Sequence, residues 1–292
     1  MGPRALAFCE NPLSHTGHNA GRNTEPNPQP IPGPNPGLDH RHNEVEHEQG
    51  QEADAAEVAR IGPNAIIRVG EALTALEENT LAGLGLNPRE SSSKLSGAGS
   101  DRSEGSALAS CGTTPGFELT GIGAKIFADA GLEHYLNHPP SEMVPESEVI
   151  ALQQALRAAL PQEIASAVSR DAGRRTGDYL LAHRIPKPAQ RLLKLLPPGP
   201  ACRMLLKAVA NNAWTFVGSG QYAFTMGRPV RVSIAQCPIC RGATATVPVC
   251  DFYAGSFERL CQILVSPRAR VHETQCQALG AAACEFQIDW GR

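Results

Sequence analysis

The spacing of apolar residues predicts a folded region that begins near Ile61 and changes character at Trp214. Upstream of Trp214 the apolar positions recur at three- and four-residue intervals, the pattern of helices that bury one face. Pro63 suits a first helical turn, and Ile66, Val69 and Leu73 follow it on one stripe. Ile122, Ile126 and Leu132 form a second stripe, broken at Asn137-His138-Pro139-Pro140. Val149, Leu152 and Leu156 predict a helix ending before Pro161, and Ile164, Val168, Ala172 and Leu180 predict one between Pro161 and Pro186. Leu192, Leu193 and Leu196 make a short helix closed by Pro197-Pro198-Gly199-Pro200, and Met204, Leu205, Val209 and Ala213 make the next. Past Trp214 the period drops to two, first over 221–225 and then over 230–234, which predicts strands. One more helix, from about Tyr253 to Val265 with Phe257, Leu260, Cys261 and Leu264 inward, precedes strands over 269–275 and 284–289. A helical N-terminal part followed by a small antiparallel sheet with one packed helix is an α+β fold.

Two segments fall outside this pattern. Residues 1–56 combine a run of alternating prolines at 26–37 with a polar stretch rich in His, Glu and Gln, which buries too little apolar surface to offset the entropy of ordering it. This segment reads as a disordered tail, and its histidines as solvated. Residues from about 79 to 116 are rich in Ser and Gly and read as a disordered insertion in a surface loop. The predicted domain is therefore 57–292, interrupted once.

Charge narrows the partners. The net charge of −3 is carried by the first 60 residues, where nine acidic side chains face four basic ones; the remainder, with 20 acidic and 22 basic, is close to neutral. That argues against nucleic acid as a partner and offers no polybasic anchor for a membrane surface. No apolar run approaches the ~18 residues of a membrane-spanning helix, and the expected location is the cytoplasm. In that compartment nine cysteines read as thiols or metal ligands rather than disulfides, and six of the nine (Cys237, Cys240, Cys250, Cys261, Cys276 and Cys284) fall in the last 56 residues.

Among these, Glu273, Cys276 and Cys284 carry the clearest chemical signal, because a turn at Gln277-Ala278-Leu279-Gly280 brings both thiolates to one end of a hairpin. Thiolates and a carboxylate in a four-coordinate set are what zinc selects. Cys250, at the entry to the last helix, can close the set. An ideal strand points Glu273 and Cys276 to opposite faces, so this set requires the strand to bend or end near Gln275. A rival set takes the C-x2-C knuckle Cys237-Pro238-Ile239-Cys240 together with Cys276 and Cys284, and spacing alone leaves the two open. Cys261, on the apolar stripe of its helix, reads as core.

Cys250, then Phe257-Glu258-Arg259-Leu260, then Glu273-Thr274-Gln275-Cys276-Gln277-Ala278-Leu279-Gly280 and Cys284-Glu285-Phe286 resemble the close of a V4R (vinyl-4-reductase) domain. In the phenol-sensing members of that superfamily the zinc ligands run Cys, Glu, Cys, Cys, and the resemblance implies the same roles for Cys250, Glu273, Cys276 and Cys284. The zinc would be structural and closed, and the knuckle a nearby loop feature. Upstream, Ile61-Gly62-Pro63-Asn64-Ala65, Ala130-Gly131-Leu132, Arg174-Arg175-Thr176-Gly177-Asp178-Tyr179-Leu180-Leu181-Ala182-His183-Arg184-Ile185-Pro186 and Ala213-Trp214-Thr215-Phe216 are similar to the bacteriochlorophyll 4-vinyl reductase proteins of the BchJ type, from photosynthetic bacteria. This likeness spans about 61–290 and implies a place in bacteriochlorophyll synthesis, at reduction of the 8-vinyl (older numbering, 4-vinyl) group of divinyl protochlorophyllide or chlorophyllide. It also implies a pigment-biosynthesis enzyme and a second copy of the chain as partners.

Vinyl reduction needs a hydride or electron source. Gly121-Ile122-Gly123 and Gly218-Ser219-Gly220 each lack the third glycine and the strand-then-helix setting of a dinucleotide fingerprint, and both read as turns. The reductant is therefore unidentified, and two roles stay open: a reductase that draws on a partner, or a non-catalytic pigment carrier. A small-molecule sensor domain is a third, weaker reading. For the pigment, Tyr179, His183, Trp214 and Phe216 are the expected lining of an apolar and aromatic pocket, with His183 as an axial ligand to magnesium or a hydrogen-bond donor. Arg174, Arg175 and Arg184 are placed to meet its propionate.

Overall fold

The computed structural model describes residues 58–83, 119 and 121–291, which belong to the unit Ala55–Arg292. The proline-rich tail expected over 1–56 and nearly all of the insertion expected at about 79–116 lie outside the described residues. Helix α1, Asn64–Gly83, runs into the start of the latter.

The helical part follows most of the apolar stripes, although Ile164, Leu192 and Met204, expected to face inward, are exposed. After α1 come α2 (Gly121–Asp129), α3 (His134–Asn137), α4 (Glu146–Ala159) and α5 (Gln162–Tyr179). Ile66, Val69 and Leu73 of α1, Ile126 of α2, and Val149, Leu152 and Leu156 of α4 are buried as their spacing predicts. The helix α5 does not stop at Tyr179. It widens into a π-helical turn, Leu180–Arg184, in which the Ile185 amide reaches back to the Leu180 carbonyl at 2.8 Å. Pro186 then starts α6 (Lys187–Leu195), followed by α7 (Pro198–Asn211) and the single turn α8 (Trp214–Val217). Two short strands, β1 (Arg60–Ile61) and β2 (Val144–Pro145), pair antiparallel beside these helices. Two residues per strand carry no period, which is why the apolar pattern does not announce them.

The C-terminal half is a four-stranded antiparallel sheet of β3 (Gln221–Thr225), β4 (Val230–Ala235), β5 (Arg270–Gln275) and β6 (Cys284–Asp289), in the order β3-β4-β6-β5. Val230, Val232 and Ile234 alternate inward on β4, as do Cys284, Phe286 and Ile288 on β6. Against that face lies α9 (Asp251–Leu264), in which Phe252 through Glu258, Leu260, Cys261 and Leu264 are all buried. Tyr253 and Phe257 meet Phe286 edge-on, with ring centroids 6.1 and 5.7 Å apart.

The other side of α9 crosses α5 at very short range, and glycines permit it. A β-carbon on Gly173 would stand 2.1 Å from the carbonyl oxygen of Phe252, and one on Gly255 2.3 Å from that of Arg170. Ser256 Oγ fixes the crossing by donating toward the carbonyls of Gly173 and Phe252 at 3.1 and 2.9 Å. Beside it, Glu258 is buried under two arginines of α5: Arg170 reaches it at 2.8 Å and Arg174 at 3.1 Å. The Val271 amide adds a bond at 3.0 Å, tying β5 to the same carboxylate. Burial alone would raise the Glu258 carboxyl, but the Val271 amide and the two guanidinium groups outweigh it and hold the group below its ordinary value. Arg174 is thus engaged within the fold, and Arg175 pairs with Asp171 at 2.7 Å.

Candidate metal centre and adjoining groove

Four elements of the C-terminal half, β4, α9, β5 and β6, bring thiols to one point. Cys250 precedes the first residue of α9, Cys276 follows the last residue of β5, and Cys284 opens β6. The connection at Gln277–Leu279 is a 3₁₀ turn ended by Gly280 in the left-handed conformation, φ 89°, which returns the chain so that Cys284 sits beside Cys276. Cys237 and Cys240 lie just after β4, where the chain turns through Gln236 at φ 51°. All five thiols are buried.

The difficulty over Glu273 is met by the backbone. Pairing of β5 with β6 shifts register between Glu273 and Gln275, a bulge that re-aims the residues after it. His272 stays exposed, while a Glu273 carboxylate oxygen lies within 4.8 Å of the sulfurs of Cys250, Cys276 and Cys284. Glu273 Oε2 accepts the Cys250 amide hydrogen at 2.7 Å. Its Oε1 is buried with no hydrogen-bond partner among the described residues. Burial, then the charge of Cys276, pushes this carboxyl up to about 9, and burial likewise pushes the Cys250 thiol up. So many buried acidic groups side by side are costly unless a cation balances them.

The dimensions suit a metal ion. Sulfurs bonded at ~2.3 Å to a tetrahedral zinc stand about 3.8 Å apart. Here Cys250 and Cys284 are 3.6 Å apart, Cys250 and Cys276 3.9 Å, and Cys276 and Cys284 4.0 Å. The knuckle, expected as a nearby loop feature, adjoins the cluster directly: Cys237 is 3.6 Å from Cys250, and Cys240 is 3.4 Å from Cys284. Two groups of four ligand atoms result, one of Cys250, Glu273, Cys276 and Cys284, the other of Cys237, Cys240, Cys250 and Cys284. The rival set drawn from spacing joined the knuckle to Cys276; in the structure Cys250 takes that place. Topology decides this, since Cys250 enters from α9, an element whose approach no linear spacing reveals.

Surrounding groups orient the cluster. The Gln277 amide points at Cys284 Sγ at 3.4 Å, and its side-chain oxygen accepts from the Cys237 amide at 2.7 Å. Arg241 pairs with the buried Glu146 at 2.6 Å, holding the knuckle loop to α4. A cleft of about 410 Å³ lined by Ser219, Gln236, Cys237, Cys240 and Gln277, among others, opens beside the knuckle.

The expected pigment residues fall in two places. Tyr179 and His183 face each other across the π-helical turn with ring centroids 4.8 Å apart, and Arg68 covers the Tyr179 ring at 5.0 Å. They line a groove of about 310 Å³ with Arg68, Glu71, Arg175, Asp178 and Ala182, a lining more charged than the apolar one expected. Phe216 belongs instead to an aromatic cluster with Tyr222, Tyr253 and Phe257. Trp214 is exposed. Arg68 was missed because its partner, Tyr179, lies on another helix, more than a hundred residues away.

The V4R domain model matches residues 230–289, which span β4 to β6 and contain all six clustered ligand residues. The chain is 45% identical over 150 residues to a protein of Cereibacter sphaeroides named bacteriochlorophyll synthase 23 kDa chain, covering 51% of this chain and 72% of that one. It is 39% identical over 150 residues to the protein of the same name from Rhodobacter capsulatus, covering 51% and 70%. Weaker likenesses in shape extend to a trafficking protein particle complex subunit 3 from Naegleria fowleri (TM-score 0.35, 13% identity, 48% of this chain and 89% of that one). The phenol-responsive sensory domain of the activator PoxR gives a TM-score of 0.32 with 15% identity, covering 52% and 78%. Scores of that size establish no shared architecture.

Proposed function

From the premise that the chain belongs to the V4R-domain family of the bacteriochlorophyll synthase 23 kDa chains, we propose that it acts in bacteriochlorophyll formation. It binds divinyl protochlorophyllide or chlorophyllide at the step that reduces the 8-vinyl group, as the pigment-binding component of that reduction. The observation that carries this reading is the 45% identity to the Cereibacter sphaeroides chain over nearly three quarters of that protein. The groove at Tyr179 and His183 supports it chemically: its imidazole can meet a magnesium or a ring carbonyl, and Arg68 and Arg175, which pair with Glu71 and Asp171 in the free chain, can exchange those partners for a propionate. The metal in this reading is zinc, held by Cys250, Glu273, Cys276 and Cys284 with no position open for substrate. It is a structural clamp.

Deleting the gene from the bacterium that carries it is expected to shift the pool from monovinyl toward divinyl pigment, read by chromatography of the extract. A pool of unchanged vinyl composition contradicts the assignment.

A further inference from the structure

The two groups of ligand atoms share Cys250 and Cys284. We propose that the six residues hold two zinc ions, bridged by the Cys250 and Cys284 thiolates, with Cys237 and Cys240 completing one ion and Glu273 and Cys276 the other. This deepens the zinc reading above and rests on it.

A tetrahedral zinc takes four ligands, so one ion at Cys250, Glu273, Cys276 and Cys284 leaves two thiols over. Those two, Cys237 and Cys240, are only 1% and 2% exposed, and each touches a sulfur already in that set. A thiolate keeps lone pairs after binding one metal and can bind a second. Six donors then suffice for two complete tetrahedra, provided the tetrahedra share an edge. The shared edge, from Cys250 to Cys284, is 3.6 Å, and the edges from it to the knuckle are 3.6 and 3.4 Å, all near the ~3.8 Å of a tetrathiolate zinc.

Charge does not oppose a second ion. With one dication the spare cysteines stay neutral thiols, and three thiolates with a carboxylate leave a net charge of two; five thiolates and a carboxylate around two dications leave the same, so the second ion adds no buried charge. The half-buried Arg157 stands beside the site. Its Nη1 donates to the Ile239 carbonyl within the knuckle at 2.9 Å, while Nη2 is buried with no hydrogen-bond partner among the described residues.

The test is elemental analysis of the full chain, purified under reducing conditions and loaded with zinc. Two zinc ions per chain are expected, falling to one in the Cys237→Ser/Cys240→Ser variant. Cobalt(II) titration of the unaltered chain checks the bridge without any substitution: the second equivalent is expected to weaken the paramagnetic resonance signal raised by the first, because thiolate-bridged ions couple. One zinc per chain, unchanged in the double variant, overturns the second ion and leaves the single structural zinc standing. Zinc-free protein overturns both, and iron with acid-labile sulfide in stoichiometric amount overturns zinc as the occupant.

Discussion

Replacing Cys284 with Ser is expected to abolish stoichiometric metal binding and to lower the unfolding temperature of the domain to that of the metal-free protein. Cys284 and Cys250 are fully buried and belong to both ligand groups found among the described residues, so either substitution breaks both four-atom sets. The cluster joins the start of α9, the end of β5, the start of β6 and the loop after β4. The Cys276 to Cys284 turn has hydrogen bonds of its own, among them Ala281 N to the Cys276 carbonyl at 3.3 Å and Gln277 Nε2 to the Ala282 carbonyl at 3.1 Å, but its Leu279 and Gly280 are exposed. Structural zinc contributes roughly 10–16 kcal/mol of apparent binding energy in small zinc domains, as much as the whole stability of about 5–15 kcal/mol of a typical fold. Thermal melts followed by circular dichroism, with and without a strong chelator, measure this. The chelated wild type is expected to melt at least 10 °C lower, and Cys284→Ser to be insensitive to chelator. Cys261→Ser, at an equally buried position outside both groups, is expected to keep its metal.

The second large effect belongs to the crossing of α5 and α9. Ala is the better helix former by about 1 kcal/mol, so Gly→Ala within an exposed helix stabilises. At Gly173 and Gly255 the sign is expected to reverse, because the added carbon meets a backbone carbonyl of the facing helix, at 2.1 and 2.3 Å, and no side-chain rotamer can relieve it. The helices must separate, and with them Ser256 and the Glu258 network lose their geometry. A destabilisation of about 3 kcal/mol for either change, the upper end of ordinary overpacking, is expected in the urea midpoint. The double variant is expected to cost less than the two together, since a single separation relieves both clashes. Gly199→Ala, where nothing lies within 4 Å, serves as the neutral comparison.

How much of this the sequence reveals depends on whether the relevant contact is local. The stripes at Val149, Leu152 and Leu156 and the alternation at Val230, Val232 and Ile234 place their elements well, because periodicity reports directly which face is buried. Strand β3 and strand β6 match the expected segments at both ends, and the need for a break in β5 near Gln275 is visible as a conflict between Glu273 and Cys276. The Cys237 and Cys240 pair shows where such reading stops. Spacing marks a knuckle, but its proximity to Cys250 depends on how α9 returns across the sheet. The α5–α9 crossing is invisible for the same reason: Gly173 and Gly255 look like ordinary weak helix residues until the partner backbone is in place. Trp214, Phe216, Tyr179 and His183 suggest one aromatic wall because they are the notable side chains of a chain poor in aromatics. The fold instead separates a charged groove at Tyr179 from an aromatic cluster at Phe216.

A titration of the purified, metal-loaded chain with divinyl protochlorophyllide, followed by absorbance and by product analysis with and without NADPH, decides the pigment reading. Saturation near one pigment per chain with a shifted absorption band and no conversion is expected of a pigment-binding component. Conversion to the monovinyl pigment would make the chain itself the reductase, and a spectrum that stays that of free pigment at every ratio would contradict pigment binding outright.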